Sequence, residues 1–253
     1  MLQRIRSHSQ HHLFDNTAQS LDLLLDQENQ DGFSMDLTFS TWDGTYEEFP
    51  YSVFQPDHYV EKYAYPTLVA LHDENGSEFE LGRWFPAISE RNYIGLGVRG
   101  PFPSSNGFPG QFNWKLRRPD ASMGIIRDTI LQAKDFWNIH SDRIYLVGEG
   151  TGAIVALQTL FLQRAALIDE LPPVAGVVCN NLPACWDRLL PPYFGESSGR
   201  VLFLDQVETA TGTAVMDQLE EVGLEVTVRP TSDNDPARFV DHWIMSGIAS
   251  AVS

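Results

Sequence analysis

The sequence predicts an α/β protein with a mostly parallel, doubly wound sheet, helices on both faces and an antiparallel edge. Three observations predict it. Six near-continuous apolar runs of strand length recur along the chain, the pattern required of strands buried on both faces. Amphipathic segments of helical length alternate with them, and alternation of this kind builds parallel crossover units. The chain has 253 residues, enough to close one large core without a second domain.

Residues 1–35 are polar and rich in His, Gln, Asn and Asp, apart from Leu21, Leu23, Leu24 and Leu25, which suit a short amphipathic helix or docking segment. We treat them as an N-terminal extension before a single domain over 36–253. "MDLTFSTW" (35–42) and "PYSVFQP" (50–56) alternate as antiparallel edge strands do. The period then changes. "PTLVALH" (66–72), "YIGLGVRG" (93–100), "RIYLVG" (143–148), "VAGVVCN" (174–180), "RVLFLD" (200–205) and "LEVTVRP" (224–230) are the buried strands.

Between them, 122–137 places Ile126, Ile130, Ala133 and Trp137 on one helical face, and 213–223 does the same with Val215, Leu219 and Val222 before Gly223 in C-cap position. The last helix opens on Asp235 as cap and Pro236 in the first turn, with Phe239, Trp243 and Ile244 facing inward. In sheets of this kind the ligand crevice lies at the carboxyl ends of the strands. The loops after His72, Val147, Asn180, Asp205 and Pro230 are therefore where a site is expected.

Composition narrows the function. The formal net charge is −17, and no basic cluster larger than "KLRR" (115–118) offsets it, so nucleic acid and anionic membrane surfaces are not expected partners. No apolar run approaches the roughly 18 residues of a membrane span, and the first 20 residues lack a secretory apolar core. The expectation is a cytoplasmic protein. Cys179 and Cys185 are the only cysteines and lack the spacing and histidine partners of a zinc site; free buried thiols are expected, and no metal or cofactor. The partner is a small molecule or a protein, and assembly into a homo-oligomer stays open.

"FWNIHSDRIYLVGEGTGA" (136–153) resembles the approach to the nucleophile elbow of α/β-hydrolases, closest to the carboxylesterase, phospholipase and polyhydroxyalkanoate-depolymerase-like esterases. "YSVFQPDHYVEKYAYPTLVALHDENG" (51–76) is similar to their edge strand and the strand ending in the oxyanion loop. "VRGPFP…GQFNW" and "VAGVVCNNLP" resemble their next strands and loops. The resemblance runs from about Tyr51 to Leu160 and implies the α/β-hydrolase fold with an esterase-like site.

Carried over residue by residue, that site is degenerate. Gly148 and Gly152 remain, but the nucleophile position is Gly150, which has no side chain. Thr151 is the nearest hydroxyl. The family order puts the histidine after the last strand, and only His242 lies downstream, inside the final helical pattern. Asp205 falls near the acid position without the usual surrounding pattern. The oxyanion loop keeps His72 and Gly76 but adds Asp73 and Glu74, whose backbone N–H groups could still donate; a side chain turned inward would cancel the hole.

Loss of the serine or the histidine of a triad alone costs about as much as loss of all three members, roughly 10⁶-fold. These departures point to a non-catalytic pseudo-hydrolase that binds a ligand or partner, with His72, Asp73, Glu74, Glu149 and Thr151 lining the pocket. The alternative is a carboxylesterase or other acyl hydrolase whose relocated site draws on Thr151, Asp205 and His242, or on Cys179 as a thiol. A third reading gives the carboxyl-edge acids, Asp73, Glu74, Glu149, Asp205, Glu208, Asp233 and Asp235, a cation to hold, against the plainer view that they are solvated loop acids.

Overall fold

In the computed structural model, residues 50–105, 108–163, 171–183, 186, 190, 199–205, 210–230 and 234–250 are described. The extension over 1–35, the segment 35–42, Cys185, Glu208 and Asp233 lie outside them. The strands are β1 (Tyr51–Phe54), β2 (Tyr65–Leu71), β3 (Ile94–Val98), β4 (Phe102–Pro103), β5 (Phe112–Asn113), β6 (Ile139–Glu149), β7 (Val174–Asn180), β8 (Gly199–Phe203) and β9 (Leu224–Val228). The α-helices are α1 (Trp84–Ile88), α2 (Pro119–Lys134), α3 (Thr151–Leu162), α4 (Ala210–Glu221) and α5 (Pro236–Ser250).

Seven strands form one sheet in the order β1-β3-β2-β6-β7-β8-β9. β1 runs antiparallel to β3, and the other pairs are parallel. All seven residues of β2 and all five of β3 are buried, which is why their sequences are continuously apolar. Alternate side chains serve two cores. Leu146, Val177 and Val201 pack under α2, α3 and α4, whereas Leu68, Tyr145, Val178 and Leu202 pack under α1 and α5. Each fully buried aliphatic side chain contributes about 1.5–3 kcal/mol, so neither face can be stripped of its helices.

The helical faces agree with the sequence periodicity. Ile126, Ile130, Ala133, Leu219, Trp243 and Ile244 are buried, Gly223 has φ 93°, and Asp235 Oδ1 accepts from Arg238 N at 3.0 Å at the start of α5. Two boundaries differ. α2 stops at Lys134 rather than 137, because Phe136 N and Trp137 N turn back to Ala133 O. This frees Trp137 to meet Tyr59 edge-on at 5.4 Å and lets Asn138 O accept from Tyr65 N. β6 begins at Ile139 rather than 143, with a register shift against β2; its exposed early residues hide it from an apolar criterion.

Register fixes the site's position. Leu71 is level with Val98 and Gly148, Gly148 with Cys179, and Cys179 with Phe203. The residues just past these ends, His72, Arg99, Gly150, Asn181 and Asp205, therefore gather at one edge of the sheet.

Candidate functional site

β6 passes into α3 through Gly150, whose φ of 54° and ψ of −117° are strained for a residue with a Cβ. The flanking glycines are required by close approach. A Cβ on Gly148 would collide with the backbone of Ala153, and one on Gly152 with the carbonyls of Leu71 and His72. Gly150 N donates to Asn180 O at 3.0 Å, and its own carbonyl accepts from Ala153 N at 3.2 Å. A sharp strand-to-helix turn is thus built with nothing projecting from its apex.

The space above the apex is filled from elsewhere. A Cβ added to Gly150 would fall on the carboxylate of Asp73. Asp73 Oδ1 accepts from Glu74 N at 2.7 Å, from Thr151 N at 2.8 Å and from Thr151 Oγ1 at 3.2 Å. Gly150 offers α3 no side-chain cap, so Asp73 supplies one from 78 positions away in sequence. Its negative charge lies at the positive end of the helix dipole.

His72 sets the base of this loop. Its ring is buried, with Nδ1 2.7 Å from Asp73 O and Nε2 accepting from Gly100 N at 2.9 Å. The amide can only donate, so the proton is assigned to Nδ1 and the ring is neutral. Burial pushes its pKa below the usual histidine value, outweighing the Asp73 carbonyl and the Glu78 carboxylate, which act in the opposite sense. The His72 carbonyl accepts from Trp114 Nε1 at 2.9 Å.

No protein-family model and no curated protein matches the sequence. Among solved structures, a carboxylesterase from Mesorhizobium loti superposes with a TM-score of 0.57 at 17% identity, over 84% of this chain and 99% of that one. The Bacillus cereus carboxylesterase gives 0.58 at 15% identity, over 81% and 97%. Esterase LipW from Mycobacterium marinum gives 0.59 at 11% identity, over 92% and 87%.

The chain has the α/β-hydrolase fold. At these identities the likeness is one of architecture. The turn at Gly150 is the strand-to-helix turn that carries the sequence resemblance, and the N–H groups of Thr151 and Glu74 converge there on Asp73 Oδ1.

The expected site residues are only partly brought together. Asp73, Glu74, Thr151 and His72 converge, and of the two loop acids it is Asp73 that turns inward while Glu74 is exposed. Glu149 Oε1 accepts from Asn181 Nδ2 at 3.0 Å, and Asp205 Oδ2 accepts from Asn181 N at 2.5 Å. His242 goes elsewhere. Its neighbour Asp241 is bonded to Tyr93 Oη at 2.6 Å and to Asn92 Nδ2 at 3.3 Å, at the start of β3 and so at the opposite edge of the sheet. The trio Thr151, Asp205 and His242 is not assembled.

Cys179 is a buried free thiol near the carboxyl end of β7, and desolvation pushes its pKa well up, which disfavours the thiolate. Of the described carboxyl-edge acids, Asp73, Glu149, Asp205 and Asp235 accept from amide donors, with Asp235 capping α5. Among the described residues no group of three or more His, Cys, Asp or Glu has the geometry to hold a metal ion. No described helix is long and apolar enough to cross a membrane.

Sequence reasoning missed the ring of polar contacts that shapes the loop after β2. Asn75 N donates to Asn113 Oδ1 at 2.7 Å, Phe112 N donates to Gly76 O at 2.7 Å, and Ser104 Oγ bonds Asn75 Oδ1. Beneath them Arg99 Nε lies 3.0 Å from both Glu78 carboxylate oxygens, and its guanidinium covers the Phe112 ring at 4.6 Å. These partners sit 13 to 38 residues apart and have no periodicity. The one available signal was the density of Asn and Trp in "GQFNW".

Proposed function

We propose that this protein is a non-catalytic α/β-hydrolase-fold protein that acts by binding a small molecule or a protein partner. The observation that carries this reading is the seating of Asp73 Oδ1 on Glu74 N and Thr151 N, directly over Gly150. An oxyanion donor supplies about 2.7–4 kcal/mol of transition-state stabilisation. Here both donors are already satisfied by a fixed carboxylate, which also repels any second anion. Among the described residues no side chain projects from the apex and no hydrogen bond joins an imidazole to Thr151 Oγ1, so proton transfer and attack both lack a group there. A cytoplasmic location belongs to the same reading.

The second reading is an acyl hydrolase with a relocated nucleophile. Its support is the Thr151 hydroxyl donating to Asp73 at 3.2 Å, a contact in which the carboxylate is placed to accept a proton. One experiment separates the two. The purified protein is exposed to a fluorophosphonate probe and to short- and long-chain aryl esters, beside Thr151→Ala. Neither labelling nor turnover is expected above the buffer rate. Labelling, or turnover that disappears in Thr151→Ala, establishes the relocated hydrolase instead.

A further inference from the structure

The His72 ring grips two backbone groups at once. Nδ1–H donates to the carbonyl of Asp73, and Nε2 receives the Gly100 amide. The Trp114 ring lies 5.0 Å from it and holds the His72 carbonyl through its own indole N–H. A second proton therefore has one place to bind, Nε2, and there it faces another donor. The charged groups around the ring are Asp73 on its own loop, Glu78 on the following segment, Arg99 past the end of β3, and Glu80, which approaches across Gly76.

We propose that His72 is a proton-operated latch on Asp73: protonation at Nε2 breaks the contact with Gly100 and draws the Asp73 carboxylate off the Thr151 and Glu74 amides. The carbonyl that Nδ1 holds belongs to the same residue whose side chain plugs the elbow, so a shift of the ring turns that peptide. The imidazolium also becomes a new cationic partner for the adjacent carboxylate. Its attraction competes with the Thr151 N, Thr151 Oγ1 and Glu74 N donors. Burial of the neutral ring favours the closed form, so opening occurs on acidification. The opened form presents two free N–H donors and the Thr151 hydroxyl at the elbow.

The inference rests on reading Asp73 as the fixed occupant of the oxyanion position. The test is a pH titration of the ¹⁵N-labelled full chain, following the Thr151, Glu74 and Gly100 amides and the His72 ring, with His72→Gln alongside. The three amides are expected to shift together at one midpoint below 6.5 that matches the imidazole, with near-UV circular dichroism unchanged. His72→Gln is expected to lose this shared step. Thr151 and Glu74 amides that move only in the ordinary carboxylate range, identically in His72→Gln, overturn the latch. So does a loss of near-UV signal coincident with the step. If His72→Gln does not fold, the unchanged protein decides: a ring that titrates without the Thr151 amide following it overturns the proposal. Ester turnover by the unchanged chain would instead remove the non-catalytic reading and leave this titration readable.

Discussion

The carboxylate of Asp73 occupies the volume that a side chain at Gly150 would need. Each residue thereby makes the other tolerable: glycine leaves room for the acid, and the acid caps the helix that glycine cannot cap. Gly150→Ser should accordingly be destabilising, through about 1–3 kcal/mol of backbone strain together with eviction of Asp73. Asp73→Gly in the same chain should return part of that loss. Urea unfolding of the two single variants and the double variant should give a coupling of about 0.5–3 kcal/mol, favouring the double. Additivity would mean that the two sites do not compete for space.

The capping role makes a second prediction. Asp73→Ala leaves the Thr151 and Glu74 amides without their partner and should cost about 0.5–2 kcal/mol, the range for a lost helix cap. Asp73→Asn keeps an acceptor oxygen but loses the charge at the dipole, so its cost should be smaller and less sensitive to salt. Denaturant midpoints at low and high ionic strength check both.

The fold was readable because its signals are local or periodic. The seven-residue apolar run of β2, the spacing of Ile126, Ile130 and Ala133, and the glycines around position 150 each report a constraint that neighbouring residues impose. The site was less readable. Gly150 could be noted as a turn position without a side chain, and Asp73 as one of two acids in the loop after β2. That Asp73 rather than Glu74 turns inward depends on the Nδ1 contact of His72, on Asn113 beneath Asn75 and on Trp114 behind the ring. The Asn113 and Trp114 contacts join segments about 40 residues apart, and no period records them. Nor could the length of β6 be read from apolarity, since His140, Ser141 and Asp142 are not buried.

Arg99 and Glu78 carry a third prediction. The Glu78 side chain is 2% exposed and that of Arg99 26%, so the pair is asymmetrically desolvated. Arg99→Ala strands a buried carboxylate and should cost about 3–5 kcal/mol, whereas Glu78→Gln keeps a hydrogen-bonding acceptor beside a partly hydrated cation and should cost less. The order of the two urea midpoints is the measurement. Equal losses would mean that water reaches Glu78.

Cys179 supplies a chemical check on the core. Its thiol is buried, in register with Gly148, and desolvation disfavours the thiolate. Iodoacetamide at mildly alkaline pH should leave the Cys179 peptide unmodified in the native protein and alkylate it fully in denaturant, as read by peptide mapping. Native-state modification at a rate comparable with a free thiol would place β7 at the surface.

The pH dependence of global stability follows from His72. Its folded pKa lies below 6.5, so between that value and 6.5 the unfolded chain binds more protons than the folded one. Stability therefore rises with pH through this window, is fully present above 6.5 and is lost as pH falls through the folded value. The slope belongs to the ring only if removing the ring removes it. His72→Gln, which cannot titrate, should be less stable than the unchanged protein at pH 7.5, because the fixed contacts to Gly100 and Asp73 are disturbed. It should nevertheless show a flatter stability profile between pH 5 and 7, so the gap between the two proteins narrows on acidification. Urea midpoints at half-unit intervals of pH measure the gap directly. A constant gap would show that His72 carries no proton-linked stability and that other groups set the slope.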